Sequence, residues 1–308
     1  MKTARLLTKE NFSRAAEFLR HGRPLEGALF AYFFESGSRE RVRQELRTFQ
    51  NPDGGFHELE PDTAFSHSTA LSTAHALHTL REIGAPVGDP LVQGSLDYLI
   101  TRYDPALTGW CIIPPHDNSQ PHAPWWHFSE EAAKNPERFD DNPRPDLLAG
   151  LFAFPSAKTA ALRLKVAGAV IARLHALTNV EMHGLLCYLR LHAAPGIPVE
   201  LKQALDRRLP AWIAQGVERD PAKWSGYGLR PLDVAPRADS PWRSLLEPDI
   251  AENLDYLVDN QARDGSWHPH WNWGDAFPDA WPAAKNAWQS QLTLRALESL
   301  RSYGRIAQ

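Results

Sequence analysis

The amino-acid sequence predicts an all-α protein built from repeated helical hairpins, and three observations support this prediction. About eleven segments of the 308-residue chain have their apolar residues at helical spacing. Runs in which Val, Ile and Thr alternate with polar residues, which would indicate strands, are almost absent. A short motif also occurs twice, far apart in the chain, and such self-similarity is typical of repeat architectures.

The repeated motif combines a Gln at the end of an amphipathic helix, an Asp-Gly turn and an aromatic residue. The first copy is residues 50–56, Gln-Asn-Pro-Asp-Gly-Gly-Phe, and the second is residues 261–267, Gln-Ala-Arg-Asp-Gly-Ser-Trp. Asp-Gly predicts a tight turn, because Gly takes up positive φ and Asp bonds to nearby backbone. The Gln can reach backbone groups left unpaired at a helix end, and the aromatic ring can pack on the neighbouring hairpin. We therefore expect a structural role for Gln50, Asp53, Gln261, Asp264 and Trp267.

This Gln…Asp-Gly-Ser-Trp pattern resembles the repeat of squalene–hopene cyclases, oxidosqualene cyclases and protein prenyltransferase β-subunits. The strong match covers the two copies above, and looser copies run from Leu96 to Trp110 and from Trp212 to Trp224. The resemblance implies an (α/α)6 toroid, in which about six helical hairpins surround a central cavity. It also implies that residues 1–308 form one terpenoid-cyclase-like domain.

The helices can be placed from the spacing of apolar residues. They are predicted over residues 11–20, 24–35, 38–49, 66–83, 89–101, 145–152, 157–177, 181–191, 198–215, 245–260 and 283–303. Ser66 is the predicted N-cap of the fourth helix and Gly84 its stop. A further short helix is expected near residues 224–236, since six hairpins need one helix more than this set contains.

Composition and charge exclude several classes of function. The net charge is −4 and the Lys and Arg residues are scattered, so no nucleic-acid partner is expected. No segment approaches the ~20 apolar residues that span a bilayer, and the N-terminus is too polar for a signal peptide, so we expect a cytoplasmic protein. The sequence has no Gly-rich nucleotide loop and no Gly-x-Ser-x-Gly nucleophile motif, so no cofactor is expected. It does not predict the oligomeric state.

The most informative loop for chemistry runs from Cys111 to Arg144 and is rich in His, Trp, Pro and Asp. Long loops in compact domains are usually functional, and this one is too aromatic to be disordered. His122 and His127 are candidate acids or bases, because imidazole titrates near neutrality. The neighbouring Trp125 and Trp126 could hold an apolar substrate or stabilise a developing cation. The structural alternative is a proline-braced lid whose polar groups bond to its own backbone.

Adjacent carboxylates in residues 139–146 invite comparison with the Asp-x-Asp-Asp motif by which hopene-type cyclases protonate an alkene. Arg138 stands where the first Asp of that motif would be. An alkene is a poor base, and its protonation needs a carboxylic acid that neighbours hold protonated, so that role is not transferred to this chain. Asp141 stays a catalytic candidate, and the structural alternative is that Asp141 or Asn142 caps the helix that starts near Pro145.

Two arrangements of His and Cys have spacings that a metal site could use, and neither is complete enough to predict a metal site. His183 and Cys187 share a helix face at i, i+4, but no Asp-x-Cys motif completes the zinc site expected of a prenyltransferase. His268 and His270 alternate and could chelate a metal, yet no third ligand is evident. We therefore predict no metal, and keep His183 as a side chain facing the cavity.

The remaining candidates lie in loops beside the two strong copies of the motif. Asp62 precedes the fourth helix and His67 lies near its start, where backbone N–H groups favour anions. Trp271 and Trp273 alternate in the late loop, so they form either a cavity wall or a packing surface on the preceding hairpin. Asp275 follows them as a further group for proton transfer.

Taken with the resemblance, these residues predict a small terpenoid-cyclase-like enzyme that acts on a hydrophobic, isoprenoid-type small molecule. Acid/base chemistry in an aromatic cavity would lead to cyclisation, isomerisation or elimination, the work of a lyase or isomerase. The alternatives are a non-catalytic hydrophobic-ligand binding protein, an α/α-toroid lyase or hydrolase acting on a polar substrate such as a sugar, and a scaffold. The candidate catalytic residues are Asp62, His67, His122, His127, Asp141, His183 and Asp275, and the candidate substrate-binding residues are Trp125, Trp126, Trp271 and Trp273.

Overall fold

The computed structural model describes residues 4–112, 118–130 and 140–307. Over these ranges the protein is helical, and extended backbone is limited to isolated β-bridges. The predicted all-α class is confirmed. The chain divides into two compact units, a terminal unit of residues 1–45 with 213–308 and a central unit of residues 46–212; the single domain stays a prediction.

Thirteen α-helices lie within the described ranges. They are α1 (Lys9–His21), α2 (Pro24–Phe34), α3 (Arg39–Arg47), α4 (Ala70–Glu82), α5 (Pro90–Thr101), α6 (Arg144–Ala153), α7 (Ala160–Ala176), α8 (Met182–His192), α9 (Val199–Gly216), α10 (Pro231–Val234), α11 (Arg243–Leu246), α12 (Asp249–Asp259) and α13 (Trp281–Ser302). The short helix expected near residues 224–236 is confirmed as α10.

Two predicted helices differ from the observed ones. The fourth helix begins at Ala70 instead of Ser66, because Thr69 is its N-cap and accepts a hydrogen bond from the Ser72 N–H. Ser66 instead donates its N–H to the Oε1 atom of Gln120 at 3.0 Å. The helix predicted over residues 245–260 is divided into α11 and α12. Pro248 lies between them, and proline interrupts a helix because it has no N–H to donate within it.

In the central unit, α4, α6 and α8 form the buried layer. Helix α6 packs between α4 and α8, while α5 lies on α4 and α7 lies on α6. Gly184 at the start of α8 lies against Asp141, which directly precedes α6. At the other end, Arg81 of α4 donates to the Arg190 carbonyl of α8 at 3.3 Å. These contacts show that the buried helices run in the same direction, with their N-terminal ends on one side of the unit.

In the terminal unit, the 22-residue helix α13 is the central element. It packs against α1, α2 and α12, while α10 and α11 pack against α12. Helix α2 is apolar on all sides, with Glu26 as its one acidic residue. A helix that is apolar all round belongs in a protein interior, and α2 contacts both α1 and α13.

The first copy of the repeated motif ties three segments of the central unit together. The Gln50 amide donates to the Gly54 carbonyl within the turn at 3.0 Å and to the Leu91 carbonyl in the first turn of α5 at 3.1 Å. The Phe56 N–H donates to the Thr73 hydroxyl of α4 at 3.1 Å. The Gln thus reaches a carbonyl in the first turn of α5, which is not the helix that follows the turn in the chain, instead of the unpaired group at a helix end that the sequence suggested.

The second copy makes the same bonds in the terminal unit. The Gln261 amide donates to the Gly265 carbonyl and to the Asn11 carbonyl in the first turn of α1, both at 2.9 Å. The Trp267 N–H donates to the Thr293 hydroxyl of α13 at 3.0 Å. The structural role predicted for the motif is therefore confirmed, and both units use one local design.

The motif aspartates also behave alike. Asp53 accepts hydrogen bonds from the Gly55 N–H at 3.1 Å and the Ser68 hydroxyl at 2.7 Å. Asp264 accepts from the Ser266 N–H at 3.0 Å and from its hydroxyl at 2.8 Å. Each carboxylate closes its Asp-Gly turn, so neither is placed for catalysis.

Candidate active site

A short antiparallel contact brings the candidate histidine loop onto the segment that precedes α4. Residues 62–64 and 121–123 are joined by two backbone hydrogen bonds of 2.9 and 3.0 Å, and His122 lies opposite Thr63. Side chains of an extended segment alternate between its faces. His122 therefore shares a face with Thr63, while the buried carboxyl of Asp62 lies on the opposite face.

Aromatic rings surround His122 in the central unit. The His67 ring stacks on Phe65 with 5.1 Å between centroids, and His122 lies 5.7 Å from the same ring. Trp126 packs against the apolar cluster that contains Phe65, while Trp125 is 42% exposed. The structure thus brings His67 and His122 onto the Phe65 ring, and Trp126 onto the apolar cluster that contains Phe65.

A chain of hydrogen bonds links His122 to the surface. Its Nδ1 atom lies 2.6 Å from the Gln120 carbonyl oxygen, and its Nε2 atom lies 3.4 Å from Nδ1 of His127. The Nε2 atom of His127 lies 3.3 Å from the Asn118 amide nitrogen. His122 is 1% exposed and His127 is exposed, so a buried imidazole is connected to one that solvent reaches. His116 and Asp117 of this loop lie outside the described residues.

Asp141 is held in an ion pair at the N-terminal end of α6. Both guanidinium contacts come from Arg173, at 3.0 and 3.3 Å, and the Tyr188 hydroxyl donates at 2.6 Å. Burial, and then the charge of Asp141, raise the pKa of Tyr188 well above 10, so the phenol keeps the proton that it donates. The predicted capping role is wrong, because Pro143 is the N-cap of α6 and no side chain caps it.

His183 and Cys187 have different environments although they lie one turn apart on α8. His183 is exposed, whereas Cys187 is buried and its thiol donates to the Asn142 side-chain oxygen at 3.6 Å. Burial raises the pKa of Cys187, which disfavours the thiolate that a metal site needs. Among the described residues, no group of three or more His, Cys, Asp or Glu could hold a metal ion.

The late loop forms an aromatic cluster in the terminal unit. The Trp271 ring meets Trp288 edge-on at 5.0 Å and Tyr227 at 5.8 Å. Trp273 is buried and lies 5.6 Å from Trp281. The two alternating tryptophans therefore have different partners. Asp275 is exposed, outside this cluster of rings.

The two histidines of the late loop are separated by their partners. His268 lies 3.5 Å from the Asp264 carboxylate, while His270 contacts the guanidinium of Arg230. Burial, and then the charge of Arg230, lower the pKa of His270 to about 4, so its ring is neutral at pH 7. Each of the two histidines thus has its own partner.

Sequence reasoning missed a buried acid on α2. Glu26 is 3% exposed, with Arg23 at 3.5 Å. Burial raises the pKa of Glu26, and the charges of Arg23 and Arg295 oppose this shift. The signal was present in the sequence as a single acid in the apolar helix 24–34.

No known protein family matches this sequence, and no curated protein is significantly similar to it. Within the described parts of the chain, every helix is too short or too polar to cross a bilayer. The site chemistry is therefore the direct guide to function. The central unit combines groups for proton transfer with aromatic rings, and both lie near the N-terminal end of α4.

Proposed function

We propose that this protein is a small terpenoid-cyclase-like enzyme with an (α/α)6 toroid fold, acting on a hydrophobic, isoprenoid-type molecule. Cyclisation, isomerisation or elimination by acid/base chemistry would be its reaction. The fold part of the proposal is supported by the two Gln–Asp-Gly–aromatic turns, each of which bonds to the first turn of a helix in its own unit, α5 for Gln50 and α1 for Gln261. That turn is the feature on which the resemblance to cyclases and prenyltransferases depends.

One observation carries the catalytic part of the proposal: two hydrogen-bonded imidazoles lie beside aromatic rings. His122 and His127 are within 3.4 Å of each other, next to Phe65 and Trp126. Imidazoles move protons near neutral pH, and aromatic faces stabilise positive charge on a substrate. The arrangement suits a reaction in which a proton is removed from an apolar molecule that passes through a cationic state.

Asp141 has a different place in the proposal from the one that its sequence motif suggests. Protonation of a double bond needs a neutral carboxylic acid, whereas Asp141 accepts two guanidinium hydrogens from Arg173 and one hydroxyl hydrogen from Tyr188. We assign it to holding α6, α7 and α8 together at this end of the unit. Asp62, His67, His183 and Asp275 stay proposed catalytic residues, and Trp125 and Trp271 stay proposed substrate contacts.

Native mass spectrometry of the purified protein, followed by organic extraction, tests the substrate class. We expect a co-purified apolar molecule that can be identified and used as a substrate. If the molecule leaves unchanged after incubation with fresh protein, the protein is a non-catalytic binder instead. Once turnover is measured, His122→Phe and His127→Ala should each reduce it while the far-ultraviolet circular dichroism spectrum is preserved; full activity in both variants would contradict the proposal.

A second candidate function, a lyase or hydrolase acting on a polar substrate such as a sugar, is favoured by the charged groups around α6. Arg190 pairs with the buried Asp146 at 2.8 Å, and the Arg81 guanidinium lies 3.3 Å from the Arg190 carbonyl oxygen. In a ligand pocket a few placed charged groups fix the orientation of the polar part of a ligand, and this cluster could supply such groups. Release of reducing ends or unsaturated products from a panel of oligosaccharides, with no apolar molecule extracted, would favour this candidate.

A further inference from the structure

The hydrogen bonds around His127 define where its proton lies. A carbonyl oxygen can only accept, so the Nδ1 atom of His122, 2.6 Å from the Gln120 carbonyl, carries a proton. In the neutral ring the Nε2 atom of His122 is then an acceptor, and it lies 3.4 Å from Nδ1 of His127. The neutral His127 ring must therefore carry its proton on Nδ1 and donate it to His122.

Asn118 leads to the same assignment from the other side of the ring. Its Oδ1 atom accepts from the Phe128 N–H at 2.9 Å, and its amide nitrogen donates to the Phe128 carbonyl at 3.0 Å. These two bonds fix which end of the amide is the donor. The donor end lies 3.3 Å from Nε2 of His127, so this nitrogen presents a lone pair.

The groups that define the tautomer are themselves held in place. The Oε1 atom of Gln120 accepts from the backbone and hydroxyl of Ser66, at 3.0 and 3.2 Å. The His122 ring packs near Phe65, at 5.7 Å between centroids. His127 itself ends a short 3-10 turn over residues 124–126, with its N–H bonded to the Pro124 carbonyl at 3.2 Å.

We propose that His127 is the base of this site, and that His122 and Asn118 are positioning residues that set its tautomer. A ligand that offers an O–H group or an activated C–H group would displace the Asn118 amide from Nε2 of His127, and the lone pair there would then accept the ligand's proton. In this step the ligand's bond to hydrogen breaks, the new N–H bond forms on Nε2, and the electron pair stays on the ligand. The same proton leaves His127 to solvent or to the product. This assignment rests on the proposed acid/base function of the site.

The direct test is the tautomer of His127, measured by two-bond nitrogen–proton correlation NMR on the full chain with nitrogen-15 histidine. Resonances are assigned by the loss of signals in His127→Gln and His122→Gln. At a pH where both rings are neutral, we expect His127 to carry its proton on Nδ1. This is the less common form in water, so the result is not the default. A proton on Nε2, or the mixture seen for a free imidazole, would overturn the proposal.

Matched variants separate positioning from a general structural role. In His122→Gln, the new amide can still accept from His127 and donate to the Gln120 carbonyl, so the Nδ1–H form should persist. His122→Phe fills similar space without either bond and should release His127 to the Nε2–H form. Asn118→Asp replaces the donor with an acceptor and should also move the proton to Nε2. An unchanged His127 tautomer in both of these variants would overturn the proposed roles of His122 and Asn118.

The same variants give a kinetic readout once a substrate is known. Loss of a group that orients a metal-bound imidazole typically reduces activity by about 10- to 100-fold, and we take the same range for loss of the group that orients His127. We expect this reduction in kcat for His122→Phe, a near-normal kcat for His122→Gln, and a pH–rate profile that changes only in the former. Because the NMR test needs no substrate, a correct tautomer with no turnover of any hydrophobic molecule would refute the proposed function alone.

Discussion

The glycines of the two Asp-Gly turns offer a sharp prediction about what the repeated motif does. Gly54 has φ of +85° and Gly265 has φ of +90°. A Cβ atom at Gly54 would lie 2.3 Å from the Gly94 carbonyl oxygen, and one at Gly265 would lie 2.4 Å from the Arg14 carbonyl carbon. Both neighbours are backbone atoms of a helix packed against the turn, α5 for Gly54 and α1 for Gly265, so they cannot turn away as a side chain could.

The expected cost of Gly→Ala at either turn follows from these two effects. A left-handed conformation costs a residue with a Cβ atom about 1–2 kcal/mol, and overpacking typically costs about 1–3 kcal/mol. We therefore expect Gly54→Ala and Gly265→Ala each to lower the free energy of unfolding by about 2–5 kcal/mol. Gly168 is the control, since it lies inside α7 with open space around its Cβ position. There the same substitution should stabilise by about 0.5–1 kcal/mol.

Urea unfolding, followed by circular dichroism and by tryptophan fluorescence, measures these differences. Two probes are needed because two compact units need not unfold together. The result that would refute the reasoning is a Gly54→Ala or Gly265→Ala protein as stable as Gly168→Ala. That outcome would mean that the turns are not held against α5 and α1 as the structure shows.

Three further predictions concern single side chains. Gln261→Leu removes two hydrogen bonds of 2.9 Å. It should lower the free energy of unfolding by about 1–3 kcal/mol and therefore lower the urea midpoint. Tyr188→Phe removes one donor to Asp141 and should cost about 1–2 kcal/mol; no change in the urea midpoint would show that this bond does not stabilise the fold. Burial raises the pKa of Glu26 above 4.5, so ionisation costs the folded protein more than the unfolded chain, and stability falls as pH rises above 4.5. Glu26→Gln should therefore raise the urea midpoint at pH 7 and change it little at pH 4, whereas equal effects at both pH values would contradict this explanation.

The repeated turn could be predicted from the sequence because its chemistry is local. Asp-Gly specifies both the positive φ and the carboxylate that closes the turn, and these features lie within four residues of Gln50 and of Gln261. The partner of each Gln lies about 40 or 250 residues away. For that reason the sequence suggested a bond to a helix end, and the structure corrected it to a carbonyl in the first turn of α5 for Gln50 and of α1 for Gln261.

The start of α4 shows how tertiary contacts override a local signal. Ser66 is a good N-cap residue, but its N–H and hydroxyl both bond to Gln120 from a distant loop. Thr69, three residues later, bonds to the Phe56 carbonyl through its N–H, while its hydroxyl accepts from the Ser72 N–H and caps the helix. Local propensity correctly predicted a hydroxyl-bearing N-cap but placed it at the wrong position. The contact that engages Ser66 comes from Gln120, which is 54 positions away in the sequence.

The candidate site was predictable in composition and not in connectivity. The His and Trp content of the loop identified His122, His127 and Trp126. In the structure the two histidines contact each other, and Trp126 packs against the apolar cluster that contains Phe65. The proposed orienting role of Asn118 depends on two hydrogen bonds between its side chain and the Phe128 backbone. No sequence pattern predicts these bonds. Asp141 was identified as an acid, but its partners Arg173 and Tyr188 lie on two later helices.

The most direct test of the central claim is incubation of the protein with linear isoprenoid substrates, with the products separated by gas chromatography and identified by mass spectrometry. The account predicts a new product of unchanged composition, or one that has lost water, and a strong reduction of that product with His127→Ala. His268→Ala is the matched control, since this exposed histidine lies beside the Asp264 carboxylate and outside the proposed site. No product from any isoprenoid, or equal product from wild type and His127→Ala, would contradict the account.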